Sequence, residues 1–145
     1  METSVVRQRV QELLRQRRRP DADRRSDRRW QADQATQEFE TFLRSVAVPL
    51  FKQVANALAA EGFKFDVFTP GSSVRLMGPR GNDEYVEIVL DTRGAAPKLL
   101  GRASHVRGGD VMQTELVLNA TANISALTDE DLLGFLLGEL ENLLA

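Results

Sequence analysis

Between Asp27 and Glu61 apolar residues return at helical spacing. Phe39, Phe42, Leu43, Val46, Leu50, Phe51, Val54 and Leu58 share one side, and Gln34, Gln37, Glu38, Arg44, Lys52 and Gln53 mostly occupy the other. The pattern predicts a long amphipathic helix. Gly62 supplies the left-handed residue that closes many helices, and Phe63 follows it in position to pack on the last turn. Pro49 interrupts the run, because a proline inside a helix removes the bond to the carbonyl four residues back, here Ser45. The expectation is a kink at Pro49, or two helices with Pro49 in the first turn of the second.

Beyond Gly62 the period changes from helical to alternating. Phe63, Phe65 and Val67 alternate with Lys64 and Asp66, and Pro70-Gly71 makes a turn. Val74 and Leu76 continue the apolar face. Val86, Ile88 and Leu90 form the inward side of the next strand, with Tyr85, Glu87, Val89 and Asp91 on its outward side. Residues 98–107 read as a further strand, Gly108-Gly109-Asp110 as a tight turn, and Met112, Thr114, Leu116 and Leu118 as the last inward face. Five short strands with no room for crossover helices predict an antiparallel meander.

A final helix closes the chain. Thr128 is a good N-cap, Asp129, Glu130 and Asp131 complement the positive end of the helix dipole, and seven leucines from Leu132 to Leu144 make a wide apolar stripe. At the other end, Val6, Val10, Leu13 and Leu14 form a narrow stripe in a short helix over residues 4–18, which Pro20 is expected to end. The fold class is α+β: a sheet of about five antiparallel strands packed against a long kinked N-terminal helix and a C-terminal helix, in a two-layer sandwich. Residues 1–29 form an arginine-rich arm of short helix and charged linker, and residues 30–145 a single domain.

Charge sharpens that division. The arm carries ten arginines against five acids, a balance of +5, while residues 30–145 carry nine basic and sixteen acidic residues, a balance of −7. The chain has no cysteine, which removes disulfides, thiolate metal sites and cysteine nucleophiles, and fits a reducing compartment. No apolar run reaches the ~20 residues that span a bilayer, so no transmembrane segment is expected and the cytoplasm is the expected location.

Catalytic chemistry finds little to work with. The only histidine, His105, adjoins Ser104 on a strand, where neighbours point to opposite faces and cannot pair directly. Glu87 and Asp91 share a strand face near Glu115, and read as a solvated outward face rather than an acid–base pair. A lone histidine among scattered acids matches no zinc or iron ligand spacing; loop acids such as Asp83 and Glu84 are the candidates for magnesium or calcium. Neither GxGxxG nor GxxxxGK[ST] is present. No catalytic residue, cofactor or metal site is therefore expected, and the chain reads as a non-enzyme.

Apolar surface is more plentiful than one core needs. Leu133, Leu137, Leu140 and Leu144 on the last helix, and Tyr85 and Val89 on the outward sheet face, are the candidate protein interface. Gly134 and Gly138, four apart, either seat a phenylalanine within the monomer or admit a partner backbone. The leading expectation is a binding or scaffolding module that engages another protein, as a homodimer. The alternative is a nucleic-acid-associated protein held through Arg15, Arg17, Arg18, Arg19, Arg24, Arg25, Arg28 and Arg29. A third reading places a small ligand between the helix at Pro49 and the sheet. In element order alone the chain resembles acidic bacterial secretion chaperones and small nucleoid-associated proteins, and it shares no motif with either. The former interpose a helix where this chain has the loop at Thr92–Pro97, and the latter have three strands.

Overall fold

The structure, a computed structural model, describes residues 1–119 and 124–145, the side chains of residues 16–22 excepted. Helix α1 spans Thr3–Phe42 and passes without a break through a π-helical turn, Leu43–Ala47, into α2, Val48–Ala60. The π register is explicit: the Val48 N–H bonds to the Leu43 carbonyl, five residues back. This is how the chain accommodates Pro49. The wider turn starts a new α register with the proline in its first turn, where a missing N–H removes no intrahelical bond. The hydroxyls of Thr41 and Ser45 donate to the carbonyls of Gln37 and Thr41, one turn back, on either side of the junction. At the far end, Gly62 takes φ +90°, and Phe63 N–H bonds to Leu58 O at 2.8 Å, a Schellman closure.

Pro20 does not end the first helix. A proline in a helix interior costs about 3 kcal/mol, and strong helix formers on both sides, Leu13, Leu14, Ala22 and the arginines, keep the backbone helical through it. The arm is therefore part of α1 and not a short helix followed by a linker. Its surroundings differ from those of the rest of α1, however. Every described side chain from Met1 to Gln31 is exposed, and burial begins at Ala35.

The sheet is an antiparallel meander in the order β1 (Asp66–Phe68), β2 (Val74–Met77), β3 (Tyr85–Asp91), β4 (Lys98–Arg107), β5 (Asp110–Val117). Gly108 and Gly109, both at positive φ, make the two-residue turn between β4 and β5. The last helix, α3 (Asp129–Leu144), begins with a capping box in which Thr128 and Asp131 bond each other's backbone N–H. The two layers meet in one core. Phe39, Phe42 and Phe51 from the N-terminal helices, and Leu132, Leu136 and Leu143 from α3, pack on Val74, Leu76, Val86, Ile88, Leu99 and Ala103 of the strands.

Cover over the sheet is uneven. Helix α2 lies against β1 and β2, and α3 against β3 and β4. Two helices side by side, each about 10 Å across, match about four strands spaced at about 4.8 Å. The fifth strand is left outside. Met112, Thr114 and Leu116 face the helical side, as their alternation predicts, and are nevertheless exposed, Met112 by 47% and Leu116 by 55%. Their reading as a buried inward face is corrected on that ground.

Gly101 marks where α3 sits closest. A Cβ there would run into the far end of the Phe135 ring, so the tip of the ring packs on bare β4 backbone. Gly101→Ala is expected to displace the ring and lower stability by about 1–3 kcal/mol in urea unfolding. Combined with Phe135→Ala, it should cost clearly less than the sum of the two single changes.

Candidate functional site

Three surfaces carry the candidate residues. The first is a groove of about 440 Å³ between α2 and α3 on the side away from the sheet. Its walls are Leu50, Val54, Ala57 and Leu58 from α2 and Leu133, Leu137 and Leu140 from α3, with Gln53 and Glu61 at the margin. Leu140 belongs to the core and Leu133 packs against it, whereas Leu137 is 52% exposed and Leu144 39%. Gly134 and Gly138 lie on the exposed side next to Leu137, and a Cβ on either would meet nothing within 4 Å. They seat no phenylalanine of this chain. That correction removes the monomer's packing as a reason for two glycines that each weaken a helix by about 1 kcal/mol.

The second surface is the open face of the sheet. Strand register places Arg75, Glu87, Arg102 and Glu115 in one row across four strands, with alternating sign. Arg75 donates from Nε and Nη2 to Glu87 at 3.0 and 2.9 Å, and Arg102 Nε pairs with Glu115 at 3.0 Å. Glu87, expected on a solvated face, is 4% exposed. Arg75 covers it while also stacking 4.1 Å from the centre of the Tyr85 ring. Tyr85 and Val89 are half-buried: the arginine takes one, and the other lies in an apolar row with Leu100 and Val117. The register brings Arg75 and Arg102 onto this face, where they neutralise Glu87 and Glu115.

Reactive geometry does not assemble here. Ser104 shares the outward row of Tyr85 and Gln113, and its buried hydroxyl has no hydrogen-bond partner, while the neighbouring His105 belongs to the opposite face. Ser73 donates to the Pro70 carbonyl at 2.9 Å and serves its turn. Glu84 is buried beneath Gly78 and reaches Arg80 at 3.7 Å. Among the described residues no group of three or more histidines or acids is placed to hold a metal ion. The Asp91 carboxyl, at the end of β3, is held below its ordinary range, first by the Arg93 backbone N–H and then by that residue's guanidinium. Beside Pro49 a hollow opens among Ser45, Val46, Leu50 and Leu127–Asp129, and no strand residue lines it. The space between helix and sheet is filled by Phe51, Val74, Leu76 and Ile88, each 0% exposed.

The arm is the third surface. Arg24, Arg25, Arg28 and Arg29 are exposed on α1, as is Trp30 by 64%. Arg15 is also exposed and approaches Glu12 at 3.9 Å. The side chains of Arg17, Arg18 and Arg19 lie outside the described residues. Val6, Val10, Leu13 and Leu14 are exposed by 46%, 49%, 62% and 47%, so nothing in the monomer covers their stripe. Among the described residues no helix is long and apolar enough to cross a membrane. Comparison with family models, curated proteins and solved structures finds no match for this chain.

The two ion pairs of the open face differ in burial, and that difference is measurable. Glu87→Ala strands a mostly covered guanidinium and is expected to cost about 1–3 kcal/mol in denaturant unfolding. Glu115→Ala breaks a pair at the solvent margin and should stay within about 1 kcal/mol of wild type.

Proposed function

We propose that the chain is a non-enzymatic binding or scaffolding module of the cytoplasm, that it acts as a homodimer, and that it seats a helix of another protein along α3. The observation that carries this reading is the outer side of α3. Leu137 projects half-exposed beside an apolar groove, and Gly134 and Gly138 lie flush next to it with no packing role in the monomer. A groove walled by two helices and lined by apolar side chains suits an amphipathic helix with anchors one turn apart. Glycines that forgo helix stability where nothing in the monomer presses on them suit a backbone arriving from outside.

The test separates binding from folding. Leu137→Asp should retain its circular dichroism and unfolding midpoint, because the side chain is already half in water. It should lose the proteins that wild type retains when both are used as bait under identical conditions. Gly134→Ala and Gly138→Ala should raise helix stability by up to about 1 kcal/mol each while weakening the same capture. Identical captured sets for wild type and Leu137→Asp would remove the α3 reading.

A second reading keeps one observation of its own, the row of exposed arm arginines on a helix that stands clear of an acidic body. Duplex DNA and single-stranded RNA are the probes, compared across a salt series with a full-length chain in which Arg24, Arg25, Arg28 and Arg29 are changed to glutamine. Binding that weakens steeply with salt and falls with those substitutions would put nucleic acid first. Absence of binding at low salt would remove this reading.

A further inference from the structure

Strand β5 presents a second unpartnered surface, of a different kind from the groove. It is one of the two edges of the sheet, eight residues long, and all eight are exposed. Val111, Met112, Leu116 and Val117 are each between 46% and 55% exposed. Its pairing with β4 is continuous from Asp110 to Val117, without a bulge, and its sequence contains no lysine, arginine or proline. Edge strands that remain unpaired usually carry such devices. Its charges are Asp110 at the turn and Glu115, which Arg102 neutralises.

The backbone shows which groups are free. Leu118 N–H bonds to Leu99 O at 2.8 Å, and the two-residue turn is closed by the pair Arg107 and Asp110. Both anchors place the even-numbered residues 110–118 in the bonded positions of the β4–β5 ladder. Val111, Gln113, Glu115 and Val117 therefore direct their N–H and C=O groups outward. Those four odd-numbered positions can satisfy one another only if a second strand runs antiparallel with odd residues opposite odd.

We infer that two copies of the chain join through their β5 strands, antiparallel, about a two-fold axis at Thr114. This rests on the homodimer part of the reading above and gives it a place. In that register Val111 faces Val117, Met112 faces Leu116, Gln113 faces Glu115, and Thr114 faces its own copy. Apolar pairs meet apolar, and each carboxylate meets an amide. A shift of two residues one way sets Val111 against Glu115; the other way sets Glu115 against itself, which like charge disfavours. The two sheets become one continuous sheet with both helical layers on the same side, and the grooves along α3 remain open for a partner.

The absence of cysteine makes the register directly readable in full-length protein. Sedimentation equilibrium of wild type is expected to give twice the 16.2 kDa chain mass. Gln113→Pro removes an outward N–H without touching the β4 ladder and should halve that mass with the fold retained. Thr114→Cys brings two thiols to Cα positions about 4.5 Å apart, within disulfide reach, and should cross-link almost completely under mild oxidation. Val111→Cys alone lies about 20 Å from its copy and should not cross-link, whereas mixed with Val117→Cys it should. If Gln113→Pro fails to fold, Leu116→Lys with Val117→Lys, both already exposed, supplies the same comparison. A dimer that survives these changes and shows no Thr114→Cys cross-link would overturn the β5 pairing and leave a homodimer formed elsewhere. A monomeric wild type would overturn the pairing and the homodimer together, while the α3 capture experiment would still stand or fall by itself.

Discussion

Two helices abreast cover about four strands, and this sheet has five. Much of what is distinctive in the structure follows from that mismatch of widths. The helical layer satisfies the inward faces of β1 to β4, so Val74, Leu76, Val86, Ile88 and Leu99 are sealed from water. It stops short of β5, so a strand with the same alternation keeps its apolar side chains in solvent. Among the described residues the opposite sheet face has no covering layer and solves the same problem differently. Arg75, Glu87, Arg102 and Glu115 cover it with their own paired charges, and Leu100 is sealed by its neighbours in the Val89–Val117 row.

The proline at the head of α2 shows the same economy on a smaller scale. The chain does not break at Pro49. It widens by one π turn, which keeps Phe39, Phe42 and Phe51 on the sheet side across the junction and lets a long helical run follow the core. Pro20, with no core to follow, is carried through by the helix preference of its neighbours. Two prolines in one helical run thus have different outcomes, decided by whether tertiary packing is present.

Much of the fold was legible because it is written in local periods. The long amphipathic run, the Gly62 closure, the Thr128 cap and the meander all depend on residues within a few positions of each other. What escaped depends on distant partners. Alternation shows that Leu116 and Ile88 face the same way, but not that a helix reaches one and stops before the other. It also puts Glu87 on the outward face without revealing Arg75, twelve residues earlier, as the group that buries it. Of the candidate interface, Leu137 and Leu144 stand where exposure was expected, while Leu140 was drawn into the core and Tyr85 was taken up by a cation. The glycines of α3 were legible as a pair four residues apart, but only the packing shows that no side chain of the monomer presses on them.

The unbroken α1 has a mechanical side. Leu14 stands about 30 Å along the helix axis from Ala35, the first position held by the domain. A helix so long, clamped at one end by Phe39 and Phe42, works as a lever. Torque applied at its tip arrives in the core, at the π turn that joins α1 to α2. The arm is thus joined by unbroken helix to the π turn, beside which the core residues Phe39, Phe42 and Phe51 are packed.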